Sequence, residues 1–386
     1  MRKFLEAQIP ETDSSRICII EWRPSLDYFR EDYVKLLSAT VEFIKRADAE
    51  NRTTAAFGRR WVRNFFRNLK LLNQTILYRR SEIPVIVTGS GPSLEQAMPV
   101  IRKNQDNCLV IAASSSVMAL SAAGIKADMA IATDGGSWAL RHIYPFYRDS
   151  AAAAFAVNLC AALPSQCACT PHLIINDGSF WQSIVLHELA LPSVIIPQRG
   201  TVTAAAVELA MILCGGNIYL AGMDLSINDI RTHAKPYAFD SLFFSRACRF
   251  APVYSESFTR SRLIQQGQSM DIYAAWFKDQ LAGWPKRIFS LGGGNKVFES
   301  ALPDEQAVFK KELEFFKAVR VKEDPALFCE RGASTLIAAM NDSNYAEKIK
   351  KELAPLLFPG ENKVTDKEMQ KAIKEISDCY RKASYE

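Results

Sequence analysis

Val85-Ile86-Val87-Thr88-Gly89-Ser90-Gly91-Pro92-Ser93-Leu94 is the stretch whose reading decides the fold. Four apolar or β-branched residues in a row suit a strand buried on both faces. The Gly-x-Gly that follows lets the backbone turn tightly and lets a ligand approach it closely. Pro92 suits a first helical turn, where its missing N–H costs nothing, and Ser93 adds a hydroxyl at the start of the predicted helix Leu94–Asn104. Free N–H groups at such a turn, backed by the helix dipole, attract phosphate or another polar group. The third glycine of the dinucleotide fingerprint is absent, because Glu95 and Gln96 follow, and no Gly-Lys-Ser/Thr makes the segment a P-loop. A plain strand-to-helix turn is the competing reading.

Outward from this stretch, short apolar runs alternate with helical patterns. Further strands are expected at Leu109–Ala112, Met129–Thr133, Ala153–Val157, Leu173–Ile175, Val194–Ile196, Ile218–Ala221 and Arg287–Leu291. Helices are expected between many of them, among them Ser115–Ala123 and Val202–Leu213. Repeated β–α alternation predicts an α/β fold on a doubly wound, mostly parallel sheet over residues 81–300. Residues 1–80 read as a small N-terminal region with one strand candidate, Ile17–Trp22, and then helices. The segment Phe57–Tyr78 reads as one amphipathic helix: Trp61, Phe65, Leu69 and Leu72 recur at helical spacing, and Arg59, Arg60, Arg63 and Arg67 form a basic face. Residues 301–386 contain no convincing strand; Glu305–Val321 and Asp366–Lys382 are charged amphipathic patterns, so a helical C-terminal region is expected.

Bulk composition sets the class. The 386 residues are 48% hydrophobic and 23% charged, which excludes bulk disorder, collagen and a disulfide miniprotein. A formal charge of +5 is too weak to argue for a nucleic-acid protein and is compatible with a phosphate-bearing small ligand. The nine cysteines are dispersed, with no CxxC and no zinc-finger spacing, and read as reduced thiols of a cytoplasmic protein. The N-terminus, Met1-Arg2-Lys3-Phe4-Leu5-Glu6-Ala7, does not read as a signal peptide. The most apolar stretch, Cys108–Ile125, holds Ser114, Ser115 and Ser116, so no membrane span is expected.

In an open parallel sheet, ligands gather beyond the carboxyl ends of the strands. Polar residues cluster at those ends here. Ser114 and Ser115 follow one strand, with a helix cap as the alternative role for Ser114; Asp134 and Gly135 follow the next, with a turn role open for Asp134. Gln198-Arg199-Gly200-Thr201-Val202-Thr203 opens the helix Val202–Leu213: Arg199 offers a fork of donors to a carboxylate or phosphate, and Thr201 and Thr203 either cap the helix or touch ligand. Gly222-Met223-Asp224 ends a later strand, and Thr232-His233-Ala234 and Tyr237-Ala238-Phe239-Asp240 follow. Of the four histidines, His233 alone lies beside other candidate groups in the sequence; it is a candidate general base, and Tyr237 a candidate donor to a departing phosphate.

Taken together, these segments resemble the motility accessory factor (Maf) flagellin glycosyltransferase family. The resemblance rests on Gly89-Ser90-Gly91-Pro92-Ser93-Leu94, on Ala123-Gly124-Ile125-Lys126-Ala127-Asp128, on Gly222-Met223-Asp224-Leu225 followed by Thr232-His233-Ala234, and on Trp61, Asn64 and Asn68. The same core is similar to bacterial sialyltransferases of glycosyltransferase family 42, through the glycine motif, Gln198-Arg199, the strand ending in Gly-x-Asp and Tyr237-Ala238-Phe239-Asp240. The resemblance implies a Rossmann-like sheet and a cytoplasmic enzyme. That enzyme would take a nonulosonic acid (pseudaminic, legionaminic or sialic type) from a CMP-sugar and place it on flagellin Ser/Thr hydroxyls. It implies that Gly89, Gly91, Ser93, Ser114, Asp134, Thr201 and Thr203 line the nucleotide-sugar site, and the neighbouring Ser90, Pro92, Ser115, Gly135 and Arg199 join them as candidates from their places in the same motifs. Tyr237 matches a tyrosine that assists the leaving phosphate; His233 and Asp224 are catalytic candidates from their own positions, His233 as a substitute base that the resemblance does not supply and Asp224 to orient the loop or a ribose hydroxyl. Two departures stand out. The second such tyrosine is Ser226 here, and Gln265, Gln266 and Gln268 occupy the neighbourhood of the sialyltransferase histidine.

Two rival readings remain open at this level. The archaeal hydroxymethylpterin pyrophosphokinases look similar around the glycine motif, and that chemistry needs ATP and Mg²⁺ with Asp134 and Asp224 as metal ligands. A non-enzymatic flagellin-binding accessory protein would instead use the basic helix face and the helical tail.

Overall fold

Buried strands flanked by helices form where the apolar runs are. The computed structural model of the protein describes residues 4, 17–149, 152–198, 200–225, 230–266, 269–281, 283–284, 287–291, 297–303, 316–361 and 363–382. Helix α1 (Arg23–Tyr28) and the long helix α2 (Arg30–Leu69) come first, then strands β1 (Gln74–Tyr78) and β2 (Val85–Thr88). Next come α3 (Leu94–Asn104), β3 (Leu109–Ala113), α4 (Val117–Ala122), β4 (Ala127–Ala132), α5 (Leu140–Asp149) and β5 (Ala152–Asn158). They are followed by β6 (His172–Asn176), α6 (Phe180–Glu188), β7 (Ser193–Ile195), α7 (Val202–Leu213) and β8 (Ile218–Ala221). The remainder comprises α8 (Asp240–Arg246), α9 (Val253–Gln266), α10 (Ser269–Leu281), β9 (Ile288–Ser290), β10 (Phe316–Arg320), α11 (Phe328–Met340), α12 (Ala346–Leu357) and α13 (Asp366–Lys382).

Among the described residues, ten strands join one sheet in the order β10-β1-β6-β5-β4-β3-β2-β8-β9, with β7 beside β6. Every pairing but β1–β10 is parallel. The fold is therefore α/β and doubly wound. The chain steps outward from β2 through β3, β4 and β5 to β6, then returns through α7 to place β8 on the other flank of β2. The register aligns Thr88 with both Ala112 and Ala221, so three strand ends meet at one level.

The period-two alternation of the strands divides the core. Val85, Val87, Ile111 and Ile131 pack with α7, whose Ala204, Ala205, Ala206 and Ala210 allow a close approach. Ile86, Val110, Ala112 and Ala130 pack with Leu94 and Ile101 of α3 and Leu120 of α4. A third cluster joins Val62, Phe65, Phe66 and Leu69 of α2 to Trp181 and Val185 of α6 and to Leu336, Leu353 and Ile373 of α11 to α13. Phe65 meets Trp181 edge-on at 4.7 Å between ring centroids.

Three sequence expectations are corrected. Ile17–Trp22 forms no strand; Ile20 and Trp22 are exposed, and no partner strand covers them. The helix expected over Phe57–Tyr78 ends at Leu69, and Gln74–Tyr78 is β1. The C-terminal region is not wholly helical. Phe316–Arg320, inside the helix expected over Glu305–Val321, is β10, paired antiparallel with β1 from Gln74↔Arg320 to Tyr78↔Phe316. The rest of that expected helix, residues 304–315, lies outside the described residues. Both misreadings have one cause: each segment pairs with a strand distant in sequence, and that pairing outweighs local periodicity. No helix among the described residues is long and apolar enough to cross a membrane.

Candidate active site

The place where strand order reverses, between β2 and β8, is where an open parallel sheet offers a crevice. The glycine bend and the Gly222-Met223-Asp224 end meet there. Gly89 N donates to Ala221 O at 2.8 Å and Gly91 N to Gly222 O at 2.7 Å. A Cβ on Gly89 would sit 2.6 Å from Gly222 O, and one on Gly91 would sit 2.7 Å from Asp224 Oδ2. Close approach of the two strand ends is thus what requires glycine. Asp224 closes the bend: its carboxylate accepts from Ser93 N at 2.9 Å and from the Ser93 hydroxyl.

This corrects the simplest phosphate-cradle picture. The N–H groups of Gly89, Gly91 and Ser93 are already committed to β8 and its loop. Pro92 is buried, while Ser90, Gly91 and Ser93 keep partly exposed surface. Thr203 borders the bend, its Oγ1 3.3 Å from where a Gly89 Cβ would lie. Thr201 accepts from Ala204 N at 3.1 Å and is the N-cap of α7.

Arg231, Ala234 and Lys235 lie against the glycine bend and the start of α3. Ala234 N donates to Ser90 O at 2.8 Å, and Lys235 N donates to Glu95 Oε1 at 2.7 Å. Arg231 pairs with Glu95, and Lys235 with Asp240. Asp240 also accepts from Tyr237 N at 2.8 Å. These bonds hold His233 against Tyr237, rings stacked 4.1 Å apart, beside the bend. His233 Nδ1 is 2.8 Å from Thr232 Oγ1. Burial, then the positive charge of Arg260, push His233 down to about 3, so its imidazole is neutral near pH 7. Burial raises the Tyr237 phenol, against attraction and a hydrogen bond from Arg260, so it is a protonated donor.

Two residues the sequence did not single out complete this cluster. His142 of α5 lies 5.5 Å from the Tyr237 ring and 5.2 Å from Phe239. The Arg260 guanidinium of α9 lies 5.5 Å from the centre of Tyr237 and 5.6 Å from that of Phe239. His233 is therefore not alone among the histidines in lying beside site groups. No local motif marks either residue, because only tertiary packing brings α5 and α9 to Tyr237.

The other predicted residues divide. Ser114 is buried and Ser115 half-buried on the turn after β3. Neither caps a helix with its side chain, while the neighbouring Ser116 bonds Thr88 Oγ1 at 2.8 Å and so ties that turn to the end of β2. Asp134 is exposed and accepts from Gly136 N at 2.8 Å, a turn role. Gly135 is buried by α2: Asn64 Nδ2 donates to its carbonyl at 3.2 Å, and a Cβ there would meet Trp61 at 2.4 Å. Arg199 and Ser226 lie outside the described residues. Asp134 and Asp224 follow β4 and β8, three strand spacings apart, about 14 Å. They do not form one metal site, and among the described residues no group of three or more His, Cys, Asp or Glu side chains is placed to hold an ion.

Fold and site thus define an open α/β sheet protein with polar residues gathered at its topological switch point. Residues 59–229 match the family model described as 6-hydroxymethylpterin diphosphokinase MptE-like, a span that holds the glycine bend and Asp224. An uncharacterized protein of Treponema pallidum (strain Nichols) is 27% identical over 279 residues, 72% of this chain and 60% of that protein. Among solved structures, the Maf glycosyltransferase from Magnetospirillum magneticum AMB-1 is similar with a TM-score of 0.49 and 14% identity, over 90% of this chain and 58% of that one. The chain therefore spans about three fifths of the length of both relatives.

Proposed function

We propose that the protein is a glycosyltransferase that binds a CMP-activated nonulosonic acid in the β2–β8 crevice and passes the sugar to a hydroxyl of a protein acceptor of flagellin type. The observation that carries this reading is the His233–Tyr237 stack, hydrogen-bonded through Ala234 to the glycine bend. The ordered set of motifs shared with the Maf and family 42 enzymes supports it.

The chemistry follows from the residue types. The acceptor oxygen bonds to the anomeric carbon as the bond from that carbon to the phosphate oxygen breaks, and CMP leaves with the electron pair. The neutral His233 imidazole takes the acceptor proton through its Nε2, since Nδ1 faces Thr232. The Tyr237 hydroxyl donates to the phosphate oxygen that gains charge. Asp224 positions the bend through Ser93 and does not itself react.

Alanine at His233 is expected to lower sugar transfer by about 10²–10⁴ while CMP binding persists. Phenylalanine at Tyr237 is expected to do the same in direction. Undiminished transfer in both variants refutes the assignment. The MptE-like match favours a second reading, pyrophosphoryl transfer from ATP with Mg²⁺. A thermal-shift screen separates the two: stabilisation by CMP alone supports the first, and stabilisation only by ATP with Mg²⁺ supports the second.

A further inference from the structure

Arg260 brings a positive charge to the site whose partners are incomplete. Its Nη1 is buried and has no hydrogen-bond partner. The guanidinium lies between 5.5 and 5.6 Å from the centres of three rings, Tyr237, Phe239 and Phe243. The nearby acid, Asp240, is already engaged by Lys235 and by Tyr237 N. Among the described residues no carboxylate pairs with Arg260. His142, whose ring centroid lies 5.5 Å from that of Tyr237 and 5.2 Å from that of Phe239, buries an Nδ1 that also lacks a partner, and it is close enough to feel the charge of Arg260.

Buried polar groups in native proteins are hydrogen-bonded, and buried charges are paired. Two adjacent unpartnered nitrogens, one of them cationic, therefore form an incomplete site. The group that completes it must accept hydrogen bonds and carry negative charge. A planar guanidinium matches carboxylate and phosphate oxygens with two parallel bonds. The imidazole adds a donor when Nδ1 carries the proton.

We propose that Arg260 and His142 form an oxyanion seat beside the Tyr237 and Phe239 rings, which receives a carboxylate or phosphate group of the bound substrate. The identity of that substrate rests on the donor reading given above. Within it the anion has two sources: the carboxylate of the acidic sugar or the phosphate of the nucleotide. The same guanidinium is the largest charge acting against protonation of His233.

The test is calorimetric titration of the full chain, wild type and Arg260→Met, with cytidine, CMP and free N-acetylneuraminate, alongside melting of both proteins without ligand. Methionine keeps the length of the side chain against the rings and loses the Tyr237 hydrogen bond, so melting should change little. Loss of the anion contact should weaken the charged probe by about tenfold or more, while neutral cytidine binds as before. Selective weakening of CMP assigns the seat to phosphate; selective weakening of N-acetylneuraminate assigns it to the sugar carboxylate. His142→Leu should weaken the same probe, and Arg260→Lys should restore part of it. Equal affinities in wild type and Arg260→Met overturn the proposal, as does an equal loss for cytidine and CMP, which would mark Arg260 as structural. If the wild type binds neither CMP nor N-acetylneuraminate, the donor reading fails. Stabilisation by inorganic phosphate that disappears in Arg260→Met then still supports the seat, and its persistence refutes it.

Discussion

Replacing Asp224 with alanine removes the acceptor that closes the glycine bend, and the size of the effect follows from what it holds. Ser93 loses a bond from its N–H, 2.9 Å long, and one from its hydroxyl. Hydrogen bonds to a charged group contribute about 1.5–3 kcal/mol each. Asp224 is half-buried, so the low end applies and Asp224→Ala should cost about 3 kcal/mol. Asp224→Asn keeps the shape and one good acceptor and should cost about 1 kcal/mol. Gly91→Ala attacks the same bonds from the other side, because its Cβ would lie 2.7 Å from Asp224 Oδ2 and 2.9 Å from Gly222 O. The double variant Gly91→Ala with Asp224→Ala should therefore be clearly less destabilised than the sum of the single variants. Urea unfolding followed by tryptophan fluorescence measures the four variants against the wild type, and CMP titration of each reports whether the opened bend still binds. Asp224→Ala within about 0.5 kcal/mol of wild type, or strict additivity of the pair, would refute the clamp.

Two further outcomes concern the frame around the site. His172 is fully buried on β6, and burial pushes it down to about 4. The unfolded chain therefore takes up a proton between about pH 6.5 and pH 4 that the folded chain refuses, so this contribution is complete above about pH 6.5 and is lost as pH falls to about 4. It amounts to about 3 kcal/mol, and His172→Leu should flatten the fall in urea midpoint between pH 7.5 and 4.5; an unchanged slope counts against it. Glu352 of α12 accepts from Phe180 N and Trp181 N, each at 3.1 Å, and so caps α6 from a helix far along the chain. Glu352→Ala should cost about 1–2 kcal/mol and speed amide exchange at the start of α6, with Glu352→Gln intermediate; unaltered exchange at Phe180 and Trp181 argues against the cap.

The central sheet was legible because its strands are buried on both faces. Val85–Thr88 and Ile218–Ala221 match their predicted bounds, and the other six predicted strands appear within two residues of theirs. Continuous apolar runs broken by glycine carry that information locally. β1 and β10 were not legible. Gln74–Tyr78 and Phe316–Arg320 lie beside helical patterns and become strands through pairing with each other across more than two hundred residues.

The site divides in the same way. Gly89, Gly91, Ser93, Asp224, His233 and Tyr237 could be picked out because polar residues follow buried strands in order along the chain. Their mutual contacts could not. Residue order determined that the ends of β2 and β8 would be polar and flexible enough to meet. Only the tertiary structure decided that Asp224 spends its carboxylate on Ser93, that Gly135 is sealed under Trp61, and that Arg260 and His142 arrive beside Tyr237. The physical reason is range. Backbone propensity and hydrophobic period act over a few residues, whereas a carboxylate or guanidinium takes its partner from whatever surface the packed sheet and helices bring within about 3 Å.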